Sequence, residues 1–529
     1  MPNDCITYQN SGYFSTLIVD YLDKKQDLNP LYHRFPNLEN FKEQIEEKAI
    51  TFSNEARSVL VAELEKQYQD FVVSEATLNN VKLLNYSNTF TITTGHQLNL
   101  FTGPLYFLYK IVSTINLCKQ LKNAYPASDF VPVYWMATED HDFEEINYFN
   151  YKDKKIQWQR ESNGPVGRLS TESLQEVFEQ FSSELESSNN ANYLKELFTK
   201  SYLEQNNLAD ATRFLANELF KNEGLVIIDG DSAGLKKQFI TYIKEELVHQ
   251  TSFKKVTETN LLLEDYKIQV NPREINLFYI EDNLRERIVF EDGNYKVNAT
   301  KIEFSETEIL AELENHPEKF SPNVILRPLY QEVVLPNLCY VGGGGEIAYW
   351  LQLKSNFEHN KVPFPILLLR NSVVLTTEKQ LNKADQLGLT WKDLFSNQHE
   401  LLNVKTKEYS KFTIDFSEQK KALKKQFMDL RSMANQTNNS FAGAVKAQEA
   451  KQIKGLENLE KRLLKAEKRV HLDLLQRIAV LQNDLFPKQS LQERKANFSE
   501  FYEVFGEEFL ESLSTELQPL SFKFSVIQL

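Results

Sequence analysis

The spacing of apolar positions changes several times along the chain, and each change predicts a different element. Across residues 41–84, Val59, Leu60 and Leu64 fall at helical spacing among Glu, Lys and Gln, which predicts helix. In "NTFTITTGHQLNLFTGPLYFLYKIVSTINLCKQL" the front half alternates instead, Phe90 and Ile92 with threonines, which predicts a strand. Gly95 and the Gly103-Pro104 pair punctuate it. A helix is expected from Pro104, with Thr102 or Gly103 as its cap. "DFVPVYWMA" (129–137) is a second strand, apolar on both faces, the pattern of a parallel sheet covered by helices. "EGLVIIDGDSAGLKKQFI" (223–240), "LCYVGGGGEIAYWLQLKSNF" (338–357) and "VPFPILLLRNSVVL" (362–375) continue the theme of apolar strand, polar turn and helix.

That repetition argues for an α/β fold with a Rossmann-like, doubly wound parallel sheet as its core. The core is divided. Residues 1–154 form its first part, and 155–222, rich in Glu, Ser and Asn, a helical insert. Residues 223–264 continue the core. Within 265–320, "INLFYIEDNLRERIVFEDGNYKV" alternates apolar and polar positions, with "EDGN" as a turn, so a small β-hairpin insert is expected there. Residues 321–416 complete the core.

Residues 417–490 change character. Leu456, Leu459, Leu463, Ala466 and Val470 step by three and four, and Leu474, Ile478, Leu481 and Leu485 extend the stripe between charged positions. This predicts an α-helical coiled coil. A helix from about 445 to 486, ended by Pro487, would be roughly 60 Å long. Residues 417–435 can supply an antiparallel partner, and a second subunit a further one. Residues 491–529 are expected to pack back on the core.

Composition narrows the classes. At 41% hydrophobic and 25% charged, the 529 residues are those of a folded globular protein. A net charge of -14 argues against a general nucleic-acid binder. The coiled-coil basics (Lys461, Arg462, Lys465, Lys468, Arg469) alternate with Glu457, Glu460 and Glu467, as on a solvated helix face. Cys5, Cys118 and Cys339 are odd in number and widely spaced, which fits a reducing, cytoplasmic compartment. The start "MPNDCITYQN" lacks an apolar core, and no run approaches the ~20 residues of a membrane helix.

Three stretches could carry chemistry. Gly95, His96 and Gln97 end a strand before a helix, where a phosphate or carboxylate could bind. Gly342, Gly343, Gly344 and Gly345 follow a strand and precede a helix, so the backbone could approach an anion closely. No Lys-Ser/Thr follows, so this is not a Walker A loop, and Glu346 breaks the dinucleotide spacing. Glu346, in the first helical turn, could hold a substrate amine. The third stretch, "EDHDFEE", packs five acids and a histidine into residues 139–145. With one histidine and no zinc pattern, no resident metal is expected. Magnesium with a nucleotide, or a substrate amine, would suit these carboxylates.

"TTGHQLNLFTGPLYFLYKI", "PVYWMATEDHDFEEIN", "SPNVILRPLYQEVVLPNLCYVGGGGEIAYWLQLK" and the late "LQER", in this order and spacing, resemble the BshC family, the cysteine-adding enzymes of bacillithiol biosynthesis. The resemblance spans nearly the whole chain. It implies a core similar to nucleotidyltransferases, two inserted connecting pieces and a dimerising coiled coil. It also implies a reaction, in which cysteine is joined to the amino group of glucosaminyl-malate. In that family the Gly-His-Gln position is often Gly-Gln-Gln, which makes His96 a binding residue rather than a proton carrier. Glycine-run variation there leaves the loop a backbone role.

Amide formation from a carboxylate needs an activated acyl group, for which ATP, with magnesium, is the expected source. Asp140, His141 and Asp142 are the candidates for holding the amine and taking its proton. Arg327 and Arg370 have the fork geometry to clamp carboxylates. Tyr106 and Lys110 lie one turn apart and would face one pocket. Within the shared strings, Asn99, Gln331, Glu332 and Trp350 complete the expected binding set. Two rivals share the same features: an ATP-dependent adenylyltransferase acting on another small acid, and a non-catalytic coiled-coil scaffold.

Overall fold

The computed structural model describes residues 4–437 and 439–529. They divide into two compact units, one holding Tyr13–Leu375 and Gln492–Leu529, the other Thr376–Leu491. The second unit starts at Thr376, where the sequence pattern placed the break at 417.

At the centre of the larger unit lies a five-stranded parallel sheet. Its strands are β1 (Thr89–His96), β2 (Asp129–Met136), β3 (Val226–Asp229), β4 (Asn337–Gly342) and β5 (Ile366–Leu369). Their spatial order is β5-β4-β1-β2-β3. β1 is buried at every position because helices cover the sheet. Phe41 of helix Leu38–Thr51 and Leu117 and Leu121 of helix Tyr106–Ala124 cluster with Phe90, Ile92, Val341 and Leu368.

Local chemistry sets the breaks between elements. The helical pattern of 41–84 is three helices, because Asn37, Ser53 and Ser74 each cap a new N-terminus with a side-chain oxygen. The helix after Pro104 starts at Tyr106 with no side-chain cap, so neither Thr102 nor Gly103 plays that part. Phe101, Thr102 and Gly103 instead take left-handed backbone conformations in succession. Asn497 of the C-terminal segment holds this turn, its Nδ2 donating to the carbonyls of Phe101 (2.7 Å) and Gly103 (2.6 Å).

The first insert carries a short hairpin, Tyr148–Tyr151 with Lys154–Gln157, ahead of helices Gln175–Glu184, Asn189–Phe198 and Leu208–Phe220. The second is larger than the expected hairpin. It is a five-stranded antiparallel sheet that includes Leu277–Glu281, Leu284–Glu291 and Asn294–Val297. The "EDGN" turn does lie within it, with Asp292 and Gly293 both at positive φ, as a two-residue hairpin turn requires.

In the smaller unit, Ser417–Ala434 packs antiparallel against Asn439–Val470 around Phe427, Ala434 and Val445. Lys420 pairs with Glu460, and Arg431 with Glu449. The expected continuous helix is interrupted at His471 and resumes as Leu472–Leu485. The apolar stripe divides at the same place. Ile478, Leu481 and Leu485 are buried, and Gln482 Nε2 ties this helix to the carbonyls of Leu394 (2.9 Å) and Ser396 (2.8 Å). These contacts are why residues 376–416 belong to this unit. Leu459 and Val470 are exposed at 53% and 71%.

Candidate functional site

The chain lays down β1, β2 and β3 toward one edge of the sheet, then returns to place β4 on the other side of β1. Ligands in such sheets bind beyond the strand ends where the order reverses, here between β1 and β4. A cavity of about 1220 Å³ opens there. Its wall takes residues from the ends of β1, β2 and β4, from the antiparallel insert and from the C-terminal segment. It carries eight Lys and Arg side chains against four Asp and Glu, so an acidic protein encloses a cation-rich pocket suited to an anionic ligand.

The glycine turn is anchored from below. Glu346 accepts hydrogen bonds from Tyr340 Oη (2.6 Å) and the Gly343 amide (2.8 Å), and pairs with Lys110 Nζ at 2.6 Å. Burial opposes its charge, but Lys110, Tyr340 and that amide hold its pKa below the usual carboxylate range. With both oxygens engaged, Glu346 stabilises the turn, and its side chain, 24% exposed, also lines the cavity. It also occupies the anion position at Gly343. Gly344 and Gly345, in the first turn of helix Gly344–Trp350, still line the cavity. Gly342 stands behind them, its carbonyl accepting from the Arg370 amide at 2.9 Å. Lys110 donates as well to the Gly95 carbonyl at 2.6 Å. A side chain at Gly95 would place Cβ 3.1 Å from Tyr340 Oη, so the turn and the end of β1 are fitted to each other.

His96 is buried, and its pKa lies well below the ordinary value, first through burial and then through the charges of Lys110 and Arg370. It is therefore a neutral imidazole, packed edge-on to Tyr106 with ring centroids 5.4 Å apart. Its Nε2 is without a hydrogen-bond partner among the described residues, as is Asn99 Oδ1; both residues line the cavity. Gln97 Nε2 bridges Asp140 Oδ2 and Glu145 Oε2, each at 2.9 Å.

The acidic stretch divides. Glu139 pairs with buried Lys236 at 2.6 Å. Asp140 and His141 line the cavity. Asp142 is exposed and lies outside the cavity wall. Burial would raise the Asp140 pKa, but His141, Gln97 and Arg285 outweigh it and hold the carboxyl well below its usual range. A carboxylate held so low suits a cation better than it suits taking up a proton.

The two arginines expected as clamps differ. Arg370 presents its fork to Glu493, Nη2 to Oε1 at 2.7 Å and Nη1 to Oε2 at 3.1 Å, both side chains buried. It still borders the cavity, but the fork is spent inside the protein. Arg327 donates only to neutral groups, Gln331 Oε1 (3.0 Å) and Tyr349 Oη (3.5 Å). No carboxylate among the described residues pairs with it. Gln331, Glu332 and Trp350 are buried behind the wall rather than in it. Glu332 is satisfied by Lys48, Gln331 and Asn337, and Trp350 packs on Tyr340 with centroids 4.6 Å apart.

Sequence reasoning missed the cations of the inserts and the tail: Arg273, Arg285, Arg287, Arg494 and Lys495. Two signals were available. Arg285 and Arg287 stand two apart in an alternating strand and so share a face, and Arg494 ends the "LQER" string.

Two family models cover the chain. The N-terminal Rossmann-like domain of bacillithiol-biosynthesis BshC matches residues 1–371, and the C-terminal coiled-coil domain of BshC matches 373–529. The chain belongs to the BshC family. Proteins named "Putative cysteine ligase BshC" from Flavobacterium psychrophilum and Flavobacterium johnsoniae are each 65% identical, covering 100% of both chains. A BshC from Bacillus cereus is 28% identical over 97% of this chain and 98% of its own. This BshC-family chain is thus an enzyme of a ligase family. No helix among the described residues is long and apolar enough to cross a membrane.

Proposed function

We propose that the protein joins the carboxyl group of cysteine to the amino group of glucosaminyl-malate, giving bacillithiol. The observation that carries this reading is the cation-rich cavity at the reversal point of the sheet, in a chain of the BshC family. The malate moiety brings two carboxylates, and a nucleotide brings phosphates. Arg273, Arg287, Arg327, Arg494 and Lys495 face the cavity with no carboxylate partner among the described residues. Arg327, at the reversal point, is the fork for a substrate carboxylate.

ATP is the proposed source of acyl activation. It would convert the cysteine carboxyl to an acyl-adenylate with release of pyrophosphate, or to an acyl-phosphate with release of ADP. Attack by the neutral amine then expels AMP or phosphate and forms the amide. Asp140 would hold the amine as a cation until it gives one proton to solvent, and a second proton leaves the nitrogen to solvent as the amide forms. Among the described residues no three His, Cys, Asp or Glu side chains converge as a metal site. Magnesium would thus be held chiefly by the nucleotide's own oxygens, with Asp140 and Glu145 the nearest acids to Gln97.

The test is the purified protein with cysteine, glucosaminyl-malate and ATP-magnesium, with thiol products read by mass spectrometry. Bacillithiol is the expected product. Pyrophosphate release that ignores glucosaminyl-malate would point to an adenylyltransferase acting on another acid. In the same assay Asp140→Asn is expected to lower turnover at least about tenfold through loss of a charge-assisted contact. Asp142→Asn should stay near the wild-type rate. Equal losses in the two variants would remove Asp140 from its role.

We also propose a homodimer formed through the coiled coil, because Leu459 and Val470 leave apolar surface exposed on its first half. Light scattering should give twice the chain mass, and a monomer at micromolar concentration would exclude it. The cytoplasm is the proposed setting, since a reducing compartment suits both the thiol product and three unbridged cysteines.

A further inference from the structure

We infer that Arg285 is a positioning residue that fixes His141 as a hydrogen-bond donor to an anionic or acyl oxygen of the ligand, so that His141 takes no proton. The inference rests on reading the cavity as the ligand site.

The Arg285 guanidinium has N–H donors and no acceptor. Its Nη1 lies 2.6 Å from His141 Nδ1, so Nδ1 must present its lone pair. A neutral ring then carries its proton on Nε2. Asp140 acts on the ring through its charge, but Arg285 is the nearer partner of Nδ1. Its Oδ1 is 3.7 Å from Nδ1, beyond hydrogen-bond range, and accepts instead from the His141 backbone amide at 2.8 Å.

Arg285 is itself held in place. Its guanidinium lies 4.0 Å from the centroid of the Phe278 ring, a stacking distance. Phe278 also packs on the His141 imidazole, with centroids 5.5 Å apart. One aromatic ring therefore supports both partners of the hydrogen bond. Phe278 and Arg285 come from adjacent strands of the antiparallel insert, whereas His141 follows β2. The insert thus reaches the end of the parallel sheet and sets the protonation pattern of a side chain there. The His141 side chain is 45% exposed and lines the cavity. With Nδ1 engaged, Nε2–H is the ring's remaining hydrogen-bonding group. Among the cations of the wall, it provides a directional neutral donor for a carboxylate or acyl oxygen.

The test uses the full chain with ¹⁵N-labelled histidine. The eight histidines are resolved by the signal that disappears in His141→Gln. Wild-type His141 should show a protonated Nε2 and a bare Nδ1. Arg285→Met, which keeps an apolar stem beside Phe278, should lose that single tautomer. A protonated Nδ1 in the wild type, or an unchanged pattern in Arg285→Met, would overturn the inference. Turnover gives a second reading. Gln at 141 can donate but cannot take a proton, so His141→Gln should keep activity within about tenfold while His141→Ala loses roughly a hundredfold or more. Equal loss in the two variants would also overturn it. The spectroscopic arm needs no substrate, so a failure of the ligase reading in the product assay would be seen separately.

Discussion

Glu493→Ala is expected to destabilise the larger unit by about 3–5 kcal/mol, the range for removing one partner of a buried ion pair. Glu493 is fully buried. It accepts from Arg370 Nη1 and Nη2, from the Val373 amide (3.1 Å) and from Ser372 Oγ (3.3 Å). Alanine would leave a guanidinium without its counter-ion and an amide without its acceptor, both away from water. Urea unfolding followed by tryptophan fluorescence should report the loss, because Trp135, Trp158 and Trp350 lie in this unit and are buried. The double variant Arg370→Met, Glu493→Leu removes both charges and should recover most of the stability. A Glu493→Ala midpoint within about 1 kcal/mol of wild type would mean that water reaches the pair.

The second large effect is on turnover. Arg327→Ala should reduce kcat/KM for amide formation by roughly a hundredfold, about 3 kcal/mol, the worth of a good hydrogen-bonded contact to a charged group. The contrast with Arg370 is the argument. Both arginines border the cavity, yet one is neutralised by Glu493 and the other donates hydrogen bonds only to Gln331 and Tyr349. A charge left without a partner inside a ligand cavity is where a substrate carboxylate gains most. Arg327→Lys should fall between wild type and alanine, since it keeps the charge and loses the fork. Stability should hardly change, because no internal ion pair is broken. A folded Arg327→Ala protein with undiminished turnover would remove Arg327 from the substrate contacts.

The fold was legible where periodicity is strong. The strand at 129–136 is apolar on both faces, and with the alternating stretch at 89–96 and the strand–glycine–helix stretch at 338–357 it leaves a covered parallel sheet as the consistent arrangement. The break at His471 was missed, although the stripe takes three consecutive steps of four there, from Ala466 through Val470 and Leu474 to Ile478, where heptads alternate three and four. The site was half legible. Residue types and strand ends marked Gly95, His96, Asp140 and Arg327, because polar groups at strand ends are uncommon enough to stand out. The partners of Arg370 and His141 lie 123 and 144 positions away. Nothing near Arg370 in the sequence announces Glu493, and nothing near His141 announces Arg285. Glu332 and Trp350 stand in the same family strings as Arg327, but a string does not say which of its residues face inward.

Placing β1 at the middle of the sheet has a consequence for how the protein is made. Thr91 and Asn337, hydrogen-bonded across β1 and β4, are 246 positions apart. A ribosome adding about 5–20 residues per second needs roughly 10–50 s to cover that distance. Throughout that interval one hydrogen-bonding edge of β1 has no native neighbour. The nascent chain can complete β1, β2 and β3 as a three-stranded half-sheet, with Phe90 and Ile92 still lacking the contacts that β4 will bring. Slow long-range closure of this kind favours aggregation of the half-made product. Heterologous yield of this enzyme should therefore depend on growth temperature and chaperone supply more than on the stability of the finished fold.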